Sequence, residues 1–328
     1  MHPIDDEVII VTDSHLGSTC APQPYNPVIS NLITGKLLPG PIWHKRHYRL
    51  KFALRTLLFW SSTRTLLNTL AERADFSQLL RAQITLPSKT HRHYLTLGLT
   101  ADQRADAIVS HYRFVDALPA PLAAALTGAA ETPLLVMHGK DEAPFTLLAS
   151  CARKAEREGE CTLWLRDARQ TLLASLTFSV TGDNQARQLI IGGLQGPRRN
   201  VDHDVIKQAT RACYGLFPKR LLLEFVWQLA ARTGINAVCG VSDSGHVFRA
   251  LRYRLSKGRH FHASYDEFWR SIDGVQAGRY RWQLPLQLER KTLESIPSKK
   301  RAEYRRRFQL LDAMALQVAS LTTPCAFR

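Results

Sequence analysis

After Glu131 the sequence changes its period, and that change constrains the fold more than any other feature of the chain. Short apolar runs alternate with turn signals at Pro133 to His138, Cys161 to Arg166, Thr171 to Thr181 and Gln188 to Leu194. Runs of this length bounded by turn residues read as strands. Asp167-Ala-Arg-Gln170 joins two of them as a hairpin, and Thr181-Gly-Asp-Asn184 supplies the turn before the next. A helical period returns at Asp202 to Tyr214 and again at Pro218 to Thr233. Pro218 suits a first helical position, where its missing N–H would have no partner anyway. The helix it opens is apolar on nearly every side and is expected to be buried. Gly234 ends it, Ile235 to Val241 reads as a buried strand, short strands follow around Arg279 to Leu288, and a basic helix, Ser298 to Leu321, closes the chain.

The residues before Glu131 have a different texture. Residues 1–40 are irregular, punctuated by Pro22, Pro24, Pro27, Pro39 and Pro41. From Trp43 to about Gln83 the pattern is helical, with Leu50, Leu54, Leu57 and Leu58 recurring at spacings of three and four. Its first turns carry Lys45, Arg46, Arg49, Lys51 and Arg55, which makes a basic amphipathic helix. A further helix near Ala101 to Val115 has Thr100 as its N-cap. The order of elements predicts an α+β fold: a helical N-terminal region, then a mixed, largely antiparallel sheet with helices. The expected organisation is a lead-in over 1–40, a helical region over 41–130, a core domain over 131–290 and the basic helix over 291–328.

The charge balance bears on function. With 44 Lys and Arg against 28 Asp and Glu, the formal net charge is +16. Such an excess attracts polyanions: nucleic acid, anionic lipid or phosphorylated small molecules. The six cysteines form no C-x-x-C pair, and several sit in apolar runs, as free thiols do in a reducing cytosol. The acidic start, Met1-His-Pro-Ile-Asp-Asp-Glu, lacks the basic-then-apolar pattern of a signal peptide. The apolar stretch Leu221 to Ala231 carries Glu224 and Gln228 and falls short of the roughly 20 residues of a membrane span. A cytoplasmic protein, free or peripheral at the inner membrane, is expected.

Val11-Thr-Asp13-Ser-His15 follows a short apolar run, as the first metal-binding motif does in metallophosphoesterases, but the further ligand patterns of that family are missing. No metal is expected. A stronger constellation is the turn Gln195-Gly196-Pro-Arg198-Arg199 between a strand and a helix. A helix start offers unpaired N–H groups, and adjacent arginines add bidentate anion binding. Lys219 and Arg220 stand in the first turn of the next helix, where the helix dipole disfavours cations, so a compensating negative charge is expected there. At the end of the core strand, Ser242-Asp-Ser-Gly-His246 offers His246 as a general base. Aromatic and basic residues interleave at Arg252 to His262 and at Tyr265 to Arg270, a texture also met in single-stranded nucleic-acid binding.

The stretch around residue 195 is similar to the pyrophosphate-binding turn of Gcn5-related N-acyltransferases. The hairpin 161–181, strand 188–194, turn 195–200, strand 235–241 and Tyr253 follow the order of that family's elements. Arg198 stands where the family's first turn glycine belongs, and an extra helix precedes the second strand. This likeness implies acetyl-CoA or another acyl-CoA held by Gln195, Gly196, Arg198, Arg199, Lys219 and Arg220, with Tyr253 or His246 moving the proton.

Five further patches resemble the VirK/YbjX family of proteobacterial proteins. They are Gly193-Leu-Gln-Gly-Pro197, Gly215-Leu-Phe-Pro-Lys219, Gly240-Val-Ser242 with Gly245-His246-Val247, Tyr265-Asp-Glu-Phe-Trp269, and Lys299 to Arg307. The resemblance implies a bacterial cytoplasmic protein tied to envelope fitness or virulence, including tolerance of cationic antimicrobial peptides. Two functions are open on the sequence: an acyl-CoA-dependent acyltransferase, or a non-enzymatic regulator that binds RNA or an anionic membrane surface through its basic helices.

Overall fold

In the computed structural model, residues 27–197, 201–249 and 264–323 are described. Arg198, Arg199, Tyr253 and the Asp13–His15 segment lie outside them.

Six helices come first: α1 (Val28–Thr34), α2 (Arg46–Leu58), α3 (Trp60–Ala71), α4 (Phe76–Ala82), α5 (Ala101–Asp116) and α6 (Ala120–Thr127). The helical stretch expected from Trp43 to about Gln83 is three helices, separated at Phe59 and between Glu72 and Asp75. Thr100 caps α5 as expected: its hydroxyl accepts from Gln103 N–H and the Gln103 side chain accepts from Thr100 N–H. Trp43 anchors this region; it is fully buried and its indole N–H donates to the Ile84 carbonyl at 2.6 Å.

Eight strands form one sheet in the order β1-β2-β3-β4-β5-β6-β8-β7. They are β1 (Thr132–His138), β2 (Pro144–Cys151), β3 (Cys161–Arg166), β4 (Leu172–Thr181), β5 (Gln188–Gln195), β6 (Ala237–Val241), β7 (Val275–Gln276) and β8 (Arg281–Leu284). Strands β1 to β5 form an antiparallel meander, β6 pairs parallel to β5, and β8 pairs antiparallel to β6. This is the α+β architecture expected. The sequence reading missed β2, which is buried almost throughout and so lacks the alternation that marks a half-exposed strand. The Asp167 turn forms because its carboxylate accepts from Arg169 and Thr171 N–H.

A parallel neighbour needs a long crossover. Here it is α7 (His203–Ala212) and α8 (Pro218–Arg232). Two more helices follow, α9 (Tyr265–Arg270) and α10 (Ser298–Thr322). Alternate residues of the central strands face opposite layers. Leu189, Ile191 and Val238 pack with α8 residues such as Leu222 and Val226, while Ile190, Cys239 and Val241 pack with Ile108 and Tyr112 of α5. The buried α8 expected from its all-round apolar sequence is thus a layer of the main core.

Candidate active site where two parallel strands part

The ladder between β5 and β6 runs from Gln188↔Ala237 to Ile191↔Gly240 and stops. Past it, β5 carries a bulge. Thr177 faces Gly193 and Phe178 faces Ile191, so Gly192 is an extra residue on the strand. A bulge re-aims the residues around it. Added Cβ atoms at Gly192 and Gly193 would each lie 1.9 Å from an atom of Glu158, the carbonyl oxygen in one case and the carboxylate in the other. Only glycine lets Glu158 lie across the bulge.

Tyr265 takes the place of a strand partner beyond the bulge. Leu194 N–H donates to the Tyr265 hydroxyl at 3.1 Å. Asp243 positions this tyrosine by accepting from Tyr265 N–H at 2.8 Å, and Asp266 returns the contact by accepting from Asp243 N–H at 3.0 Å. Trp282 donates to the same Asp266 carboxylate, and Trp269 lies flat against Gly240 while donating to the Val241 carbonyl. Burial first, then the negative charges of Glu158 and Asp243, raise the Tyr265 phenol well above its ordinary value, so it stays protonated.

His246 completes the group. It is fully buried and stacks on Tyr265 with ring centroids 5.5 Å apart. Its Nδ1 accepts from Phe248 N–H, which leaves Nε2 as the protonated nitrogen, 3.3 Å from Glu158 Oε1. Gln195 Nε2 lies 3.3 Å from the same oxygen. Of Glu158, His246 and Tyr265, Glu158 is the one that lines a cleft of about 570 Å³, together with Thr177, Gly193, Gln195, Gly196 and Pro197. The other two stand behind it. A carboxylate beside an imidazole and an amide, at the wall of a cleft, has the chemistry of a proton acceptor.

The residues singled out in the sequence are distributed unequally around this cleft. Gln195 and Gly196 line it, and Lys219 lies beside Gly196, its Cε 3.8 Å from where a Cβ would stand. Burial lowers the pKa of the Lys219 ammonium. Arg220 turns away, pairing with Glu224 at 2.5 Å and lying 4.6 Å over Trp227. The charge expected to offset a cation at this helix start is, for Arg220, an internal carboxylate. The start of α7 also differs from expectation. Asp202 caps it, accepting from Asp204 N–H at 2.9 Å, so a carboxylate already sits where an anion was expected. The start of α8, with Pro218 at its first position and no side-chain cap, is the more open of the two. His246 does not itself face the cleft.

Glu158, Tyr265, Asp243 and Asp266 were not read from the sequence as site residues. Glu158 falls in a run of charges, Arg157-Glu-Gly-Glu160, where nothing local separates a buried carboxylate from an exposed one. Tyr265 carried a signal: among the described residues it is a tyrosine on a short helix after β6, the position in the element order that the sequence reading gave to Tyr253. Among the described residues no group of three or more His, Cys, Asp or Glu could hold a metal, and no helix is long and apolar enough to cross a membrane.

Comparison with known proteins places the chain. It is 36% identical over 292 residues to YbjX of Escherichia coli (strain K12), covering 89% of this chain and 88% of that one. A protein of Haemophilus influenzae is 35% identical over 164 residues, half of each chain. A more distant match, 25% over 197 residues, is to a Mannheimia haemolytica protein named membrane protein LapB, covering 59% of this chain and 82% of that one. Residues 41–320 match the family described as protein of unknown function DUF535. The resemblance to YbjX read from five short patches is borne out along most of the chain, and the protein belongs to the DUF535 family.

Proposed function

We propose that the protein is an acyltransferase that takes its acyl group from acetyl-CoA or a longer acyl-CoA. The observation that carries the proposal is the parting of β5 from β6 at the Gly192 bulge, with Leu194 N–H turned to Tyr265 instead of to a strand. A gap between parallel strands, polar at its mouth and walled by a buried carboxylate, suits a thioester entering alongside β5. The pyrophosphate would lie at the 195–197 turn near Lys219 and the uncapped start of α8.

In this reading the acceptor, an amine or a hydroxyl, binds in the cleft beside Glu158. It attacks the thioester carbonyl carbon as Glu158 takes its proton. Gln195 donates to the Glu158 carboxylate, and the His246 ring packs beside it. The C–S bond breaks, and the proton on Glu158 passes to the leaving thiolate. Tyr265, kept protonated, holds Leu194 at the parted end of β5, behind Glu158. A role in envelope fitness, virulence or tolerance of antimicrobial peptides, at the cytoplasmic side, belongs to the same proposal as context from the VirK/YbjX resemblance.

The competing reading, a regulator holding RNA or an anionic membrane surface through its basic helices, has less behind it at the last helix. Of the arginines on this helix, Arg301 donates to the Ile296 carbonyl, and Arg307 to the Tyr214 carbonyl and Glu303, while Arg305 and Arg306 are exposed.

Thiol release from a series of acyl-CoAs, measured with small amine and alcohol acceptors, tests the acyltransferase. Release that needs both protein and acceptor supports it. Absence of release at every chain length, with a correctly folded protein, removes it.

A further inference from the structure

Helix α2 turns its apolar face outward. Leu50, Leu54, Leu57 and Leu58 are between 57% and 78% exposed, and Trp60 just beyond is 49% exposed, while Phe52 and Thr56 on the opposite side are buried. Their spacing of four, three and one puts the four leucines on one face. Contiguous apolar surface of this kind marks an interaction site. Its surroundings say what it meets. The helix has no Asp or Glu, and Lys45, Arg46, His47 and Lys51 stand exposed around the leucines.

The flank of the same helix helps to form a cavity of about 140 Å³ whose wall carries Lys51, Arg55, Arg92 and Arg157. Glu156 lies 3.6 Å from Arg92. His91, also in the wall, is buried; its Nε2 lies 3.0 Å from the Thr63 hydroxyl and its Nδ1 has no hydrogen-bond partner. Burial first, then the cations Arg55, Arg92 and Arg104, push its pKa down to about 4. With the Thr63 hydroxyl donating to Nε2, Nδ1–H is left to donate.

We infer that this ridge and cavity form a docking surface for an anionic phospholipid bilayer, with the leucines entering its apolar layer and the cavity taking a headgroup phosphate. Basic residues rimming an exposed apolar helix face complement such a surface in both layers: phosphate at the headgroup level, hydrocarbon below. A nucleic acid would use the cations and leave the leucines in water. The inference goes beyond the proposed acyl transfer and is read by binding alone, so either can fail without the other.

The test is co-sedimentation of the full chain with vesicles of phosphatidylcholine, with and without phosphatidylglycerol, beside calorimetric titration with inorganic phosphate. Binding is expected with phosphatidylglycerol only. It should weaken about tenfold or more in Leu54→Gln/Leu57→Gln, whose exposed positions leave the fold intact, and in Lys51→Gln/Arg55→Gln. Thermal melts check that both variants fold, and Lys51→Gln alone serves if the double variant does not. No vesicle binding overturns the proposal, with or without phosphate binding. Loss in the charge variant but not in the leucine variant overturns it in favour of simple charge attraction. A dimer that the leucine variant converts to monomer overturns it in favour of a second copy of the chain.

Discussion

His246 Nε2 lies 3.3 Å from Glu158 Oε1, with the ring stacked on Tyr265 and sealed from solvent. In the proposed reaction the imidazole is a positioning group, and the carboxylate beside it is the one that meets the cleft. Glu158→Gln keeps the volume and removes the base. Acyl transfer should fall by about 10² to 10⁴-fold with little change in KM. His246→Gln should fall less and shift the pH profile of kcat. Thiol release across pH checks both.

The bulge gives a prediction about stability. Gly192→Ala places a Cβ on the Glu158 carbonyl, a backbone atom that cannot swing aside. It should cost about 1–3 kcal/mol. Gly196→Ala meets only Lys219 Cε at an ordinary contact distance and should be close to neutral. Urea unfolding of the two variants checks the difference.

A buried ion pair ties the helical region to the sheet. Lys89 Nζ lies 2.7 Å from Glu160 Oε1, both side chains closed to solvent, and Tyr112 donates to the other carboxylate oxygen at 2.8 Å. Lys89→Met leaves that carboxylate buried without its cation and should cost about 3–5 kcal/mol. Lys89→Met/Glu160→Gln should recover part of the loss. Denaturant midpoints of the single and double variants check this.

Stability should also fall in mild acid. Burial, with nearby cations, lowers the pKa of His91 to about 4 and of His111 to about 3, against about 6.5 when unfolded. Below 6.5 the unfolded chain binds protons that the native chain refuses. Their contribution is complete above about pH 6.5 and is lost as pH falls toward 4 for His91 and 3 for His111, with a slope of up to about 1.4 kcal/mol per pH unit for each. Melting between pH 7.5 and 4.5 checks the slope, which His91→Gln/His111→Gln should flatten.

Much of the fold was legible because periods and turn residues report local structure. The strands 161–166 and 188–195, the helices opened by Thr100 and Pro218, and the Asp167 turn follow from side chains within a few residues of one another. β2 was hidden because layers on both faces erase its alternation. The outward face of α2 was hidden for the reverse reason: leucines at helical spacing report a helix but not which way it turns. The site was legible on one side only. Gln195, Gly196, Lys219 and His246 lie near a turn or strand end that can be read locally, whereas Glu158 reaches Gly192, Gly193 and His246 only through the sheet. Arg220 shows the limit of dipole arguments, since Glu224, one helical turn on, supplies the offsetting charge.

The most direct test of the central claim is calorimetric titration of the protein with acetyl-CoA and longer acyl-CoAs, in moderate salt, beside Lys219→Ala and Arg198→Ala. Saturable one-to-one binding by the wild type, weakened about tenfold or more in both variants, is expected of a pyrophosphate held at the 195–197 turn, beside Arg198 in the sequence, and the start of α8. No binding at any chain length, or equal binding by all three proteins, would contradict it.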